Sequence, residues 1–136
     1  TGTTSSRDGL ANYQDLWWNS AERGWGINLT QEGDVIFATL FDYDASGAPM
    51  WWFMSGGTRQ ADGSFAGDLY RAHDMSPFNA QPFTPIAPSN ITTVGSMQLR
   101  FTNGTTGTLT YTIDGRTVVK TIARQVFSSP VPACSG

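Results

Sequence analysis

The sequence predicts an all-β protein: an antiparallel up-and-down meander of seven or eight strands, barrel-like, with a two-sheet β-sandwich as the alternative. Three observations lead there. Short runs rich in Val, Ile, Thr and aromatic residues are separated by glycine-containing turns. Along most of them apolar and polar residues alternate, the period of a strand with one wet face. No stretch carries the 3.6-residue periodicity of an amphipathic helix. Closing such a meander removes the unpaired edges that invite aggregation.

Taken in order, YQDLWW (13–18) is expected as the first strand, followed by WGINLTQ, which ends at Glu32-Gly33. VIFATLFDY runs to the turn DASG, MWWFMS to a loop ending at Asp62-Gly63, and SFAGDLYRA closes the first half of the meander. After a break come VGSMQLRF, the turn NGTTG, TLTYTI, the turn Asp114-Gly115 and RTVVKTIARQVF. Asp-Gly suits a type I′ hairpin because both residues accept positive φ. Alternation puts Trp25, Ile27 and Leu29 on one face, as it does Met97, Leu99 and Phe101, and Leu109, Tyr111 and Ile113. VIFATLFDY and MWWFMS are apolar on both faces, which predicts central strands or an exposed hydrophobic strip.

The break, Arg71 to Asn90, holds four of the seven prolines, which forbids a regular helix or central strand there. A long ordered loop is expected, packed down by Phe78, Phe83 and Ile86. With 136 residues the chain suits one domain able to bury a core without covalent staples. Residues 1–11, rich in Thr, Ser and Gly, read as a flexible linker, 12–127 as the single β domain, and 128–136 as a C-terminal tail.

A net charge of −3 has the wrong sign for phosphate-driven binding, so nucleic acid is not an expected partner. No apolar run reaches eighteen residues, so no membrane span is expected. Cys134 is the only cysteine and stands in the tail, which excludes an internal disulfide.

Asp42, Asp44, Ser46 and Gly47 match the start of a calcium loop, but Phe53 stands where a bidentate Glu is needed and the flanks are strands. The reading taken is a hairpin turn. His73 beside Asp74 has no nucleophile on a rigid elbow to serve. Zinc spacing is absent from the sequence. Glu22, set among tryptophans, is expected in a structural pair with Arg23 or another arginine. No catalytic residue, metal ligand or cofactor follows from the sequence.

The five tryptophans are the feature with functional content. Trp17-Trp18 and Trp51-Trp52 are consecutive on strands, so in each pair one ring points inward and the other outward. Exposed rings can stack on sugars or seat an apolar partner.

The pattern DLWWN, GWGINLTQ, YDASG.P.WW, VGSMQLRF, GTLTYTIDG and IARQVF resembles a β-rich domain found at the C-terminal end, or in tandem, in secreted and surface proteins of proteobacteria. It covers about Tyr13 to Phe127, and its matching positions include Trp17, Trp18, Asn19, Glu22, Trp25, Asn28, Tyr43, Trp51 and Gln125. Leu40 and Asp42 depart from it, relatives often having Trp and Thr there. The resemblance implies an exported bacterial accessory module that works beside other domains of a parent protein, and it implies no catalytic residue. The expected function is non-catalytic binding of a polysaccharide or other extracellular polymer. The residues expected to take part are Trp17, Trp18, Glu22, Asn28, Tyr43, Trp51 and Trp52. A structural or protein-interaction module and a small-ligand-binding β-barrel are the alternatives.

Overall fold

In the computed structural model, which describes residues 12–126, the alternation read from the sequence becomes an inside and an outside. Eight strands form: β1 (Asp15–Trp18), β2 (Gly26–Glu32), β3 (Val35–Tyr43), β4 (Pro49–Arg59), β5 (Phe65–Ala72), β6 (Ile91–Phe101), β7 (Thr106–Ile113) and β8 (Arg116–Arg124). Each pairs antiparallel with the next, and β8 returns to β1, so the sheet is a closed up-and-down barrel and not a sandwich. The linker, the tail, Phe127 and Cys134 lie outside the described residues.

The core fills the barrel. Ile27 and Leu29 of β2, Ile36, Ala38 and Leu40 of β3, and Leu99 of β6 are fully buried, as are Trp17, Met54, Phe65, Leu69 and Leu109. Each large side chain removed from water in this way contributes roughly 1.5–3 kcal/mol. Opposite them on β7 stand Thr106, Thr108, Thr110 and Thr112, facing away from the core.

One end of the barrel carries the short turns β2–β3, β4–β5 and β6–β7, and aromatic rings close it. Tyr13 stacks on Phe101 at 3.7 Å, Phe65 meets both edge-on at 6.2 Å, and Trp17 leans on Phe101 at 5.1 Å. Arg59 lies over Phe65 and Arg124 over Trp17, at 4.7 and 4.9 Å from the ring centres. Arg124 also clasps the seam between β1 and β8. It donates to the backbone carbonyls of Gly104, Gln14 and Asn12 and pairs with Asp15 at 3.1 Å.

The other end carries the β1–β2 loop (19–25), the β3–β4 turn (44–48), the long β5–β6 connection (73–90) and the β7–β8 turn. Asp114 (φ 50°) and Gly115 (φ 80°) adopt the left-handed geometry expected of that hairpin. In the β3–β4 turn one carboxylate oxygen of Asp44 accepts from the Ser46 N–H, the Ser46 hydroxyl and the Ala48 N–H, at 2.6–3.0 Å. These bonds, the Ser46 hydroxyl foremost, lower the Asp44 pKa. DASG is thus a side-chain-capped turn.

Three expectations are corrected. Arg71 and Ala72 belong to β5, as the expected strand SFAGDLYRA has them and the expected connection 71–90 does not, so the irregular connection is 73–90 and ends in a 3-10 turn at Pro88–Asn90, while β6 starts at Ile91, ahead of the expected VGSMQLRF. Nor does it pack down through its apolar side chains: Phe78 is 96% exposed, and Phe83 and Ile86 are about half exposed. Polar bonds hold it instead. His73 bridges Asp74 (2.9 Å) and Thr92 of β6 (2.8 Å), and Asn90 donates to the Asp74 carbonyl. Finally, β1 is shorter than YQDLWW, because Tyr13 and Gln14 leave the ladder to meet Gln31.

Candidate functional site

The inward positions of β3, β5 and β8, followed toward the loop-bearing end, change from apolar to charged. Beyond Leu40 on β3 comes Asp42, and beyond Leu69 on β5 comes Arg71. On β8, read toward the same end, Ile122 is followed by Lys120, Val118 and Arg116. The barrel opens at these positions into a cavity of about 550 Å³. Trp52 and Tyr111, the most deeply buried of its lining, form the floor. Met50, Val94, Ile113 and Val118 supply apolar wall, and Asp42, Tyr43, Asp44, Arg71, Asp114 and Arg116 the polar remainder. A volume in this range, apolar walls and a few converging polar groups are the attributes of small-molecule sites.

Tyr111 donates its hydroxyl to Asp42 at 3.3 Å, and the other Asp42 oxygen accepts the Tyr43 N–H. Burial pushes the Tyr111 phenol up to about 12, with the negative charges of Asp42 and Glu22 adding to the effect. The phenol is therefore a hydrogen-bonding group and no base at neutral pH.

Glu22 pairs with Lys120 at 3.0 Å rather than with an arginine, and Lys120 lies over the Trp25 ring at 5.7 Å. The lysine is the partner because the alternation of β8 points it inward, toward the β1–β2 loop. The Trp25 indole N–H is buried with no hydrogen-bond partner among the described residues.

A second feature lies outside the barrel, where β3 and β4 expose the hydrophobic strip anticipated from their sequence. Trp51 stands opposite Phe41, and Phe53 opposite Tyr70. Phe53 stacks with Trp51 at 5.5 Å and with Phe37 at 6.2 Å, and Tyr70 leans on it at 5.6 Å. Phe37, Phe41 and Trp51 are 43–51% exposed. A shallower depression of about 290 Å³, lined by Gly24, Phe41, Tyr43, Pro49 and Trp51 among others, joins this face to the rim.

The seven residues expected from the sequence are thus divided. Trp52 floors the cavity, Tyr43 stands on its rim and Trp51 on the outer face. Trp18 is half-buried, while Asn28 is exposed on β2. Trp17 is fully buried and bonded through its indole N–H to the Tyr13 carbonyl. Glu22 sits near enough to Tyr111 to raise its pKa. Sequence reasoning passed over Asp42, Arg71, Tyr111 and Arg116 as site residues, reading Tyr111 only as a core position. The signal that marks them is charge or hydroxyl at positions sharing the inward parity of the core.

Among the described residues no group of three or more His, Cys, Asp or Glu is placed to hold a metal ion. No described helix is long and apolar enough to cross a membrane. No family model, curated protein or solved structure matches this chain.

Proposed function

We propose that this domain is a non-catalytic binding module whose site is the open mouth of the barrel, accepting a small molecule or the end of a larger chain. The observation behind this reading is the one-ended cavity: aromatic rings close one end of the barrel, while the other keeps about 550 Å³ over Trp52 and Tyr111. Converging groups that stack, donate and accept suit recognition. The phenol, held protonated, has no role as a base. The sequence resemblance supports placing the module in an exported bacterial protein, beside other domains.

Titration of intrinsic tryptophan fluorescence against panels of glycans and small amphiphiles tests this. A saturable change is expected for one class, abolished by Ile113→Trp, which fills the mouth, and preserved in Trp51→Ala. A saturable change abolished only by Trp51→Ala would move the site to the outer face. That second reading, polymer binding on the exterior, is favoured by the stacked rings of Phe37, Phe53 and Trp51. It agrees with the polysaccharide expectation from the sequence.

A further inference from the structure

The lining of the mouth carries three carboxylates, Asp42, Asp44 and Asp114, and two guanidiniums, Arg71 and Arg116, and the guanidiniums are set apart from the paired basic side chains by having no partner among the described residues. Arg59, Arg100, Arg124 and Lys120 each have an acidic partner, Asp34, Asp62, Asp15 and Glu22 respectively. The side chains of Arg71 and Arg116 have no hydrogen bond or ion pair among the described residues, and both line the cavity. Arg23 is also without a partner but stands in the β1–β2 loop and does not line the cavity. An inward strand position is a poor place for a solvated arginine unless the barrel opens there, since an apolar residue would extend the core.

The acids of the rim are mostly engaged. Asp42 holds the Tyr111 hydroxyl and the Tyr43 N–H on separate oxygens. Asp44 is committed to its turn. Asp114 is the remaining acid, two residues from Arg116 in the β7–β8 turn, and its charge offsets that arginine more than Arg71. The two arginines project from β5 and β8, three interstrand spacings of about 4.8 Å apart around the barrel. Long side chains bridge such a span when both reach for one group. Beneath them lie the apolar walls of Met50, Val94, Ile113 and Val118 and the ring of Trp52.

We infer that the mouth takes a small amphiphile with a single anionic head, a carboxylate or its equivalent, held by Arg71 and Arg116 while its apolar body enters the cavity over Trp52. This rests on the mouth being the binding site and adds the chemical class of the ligand. Arg71 is the stronger anchor of the two, because Asp114 weakens Arg116.

The test is calorimetric titration of the domain with octanoate and with octan-1-ol, which share an apolar chain and differ in charge. Octanoate is expected to bind about tenfold more tightly, as charge-assisted bonds to guanidinium allow. In Arg71→Gln/Arg116→Gln that advantage is expected to vanish while octanol affinity and the thermal midpoint stay unchanged. Arg71→Gln alone is expected to lose more of it than Arg116→Gln. Ile113→Trp is expected to abolish binding of both compounds. If octanol binds as well as octanoate, or the octanoate advantage survives the double substitution, the anionic-head inference is overturned and the mouth as a site stands. If neither compound binds, this inference falls, and the mouth reading rests on the wider panel.

Discussion

Tyr111 and Asp42 connect the packed core to the open mouth. The phenol is buried in the last layer of core before the cavity, and its bond to Asp42 orients a carboxylate that would otherwise face the cavity freely. Because burial and that charge raise the phenol to about 12, the folded state holds its proton more tightly than the unfolded chain, where a tyrosine loses it near 10. The resulting stabilisation is full below about pH 10 and is lost as pH rises through about 12. Absorbance titration at the phenolate band is expected to show one of the four tyrosines ionising late, and Tyr111→Phe to remove that component. Gly95 is a second position where one atom decides the outcome: a Cβ there would stand 1.8 Å from the Thr112 carbonyl oxygen on β7. Gly95→Ala is expected to cost about 2 kcal/mol or more, measured by urea unfolding, because backbone on both sides must move.

Among the elements, the seam between β1 and β8 has the shortest ladder, with Trp17 opposite Arg124 and Trp18 opposite Ala123. Its integrity depends on Arg124, which ties three backbone carbonyls and Asp15 together against the Trp17 ring. Arg124→Met is expected to destabilise the domain by about 2–4 kcal/mol. Hydrogen exchange at β1 is expected to rise more than at β6 or β7, as local opening of the seam predicts. The strands were legible in the sequence where alternation is strict, as in Leu109, Tyr111 and Ile113, or where a glycine turn such as Glu32-Gly33, DASG or Asp114-Gly115 bounds an apolar run. The long connection was less so. Phe78, Phe83 and Ile86 look like packing residues in isolation, but prolines on every side keep that segment from folding back onto the barrel. Its actual restraints, His73 to Thr92 and Asn90 to Asp74, join partners sixteen or more residues apart, and no local pattern announces them.

For the whole molecule, closure settles what two paired tryptophans could not say alone. A doubled tryptophan requires one ring in and one out, and the register of Leu40 with Trp52 and Phe41 with Trp51 decides which. Trp52 thereby becomes the floor of a cavity and Trp51 part of an outer aromatic face. The mouth itself was hidden, because Asp42, Arg71, Tyr111 and Arg116 come from four strands spread over 75 residues (42–116) and converge only when β8 meets β1. A barrel closed by Tyr13, Phe101, Phe65 and Trp17 at one end and open over Trp52 at the other leaves its cavity accessible along the axis, which is the geometry behind the proposed site. The decisive measurement is an NMR titration of the isotope-labelled domain with octanoate, following backbone amides and tryptophan indoles. Saturable shifts centred on Trp52, Arg71, Val94, Tyr111, Ile113, Arg116 and Val118 are expected. Shifts centred on Phe37, Trp51 and Phe53, with the mouth signals unmoved, would contradict the assignment of the barrel mouth as the binding site.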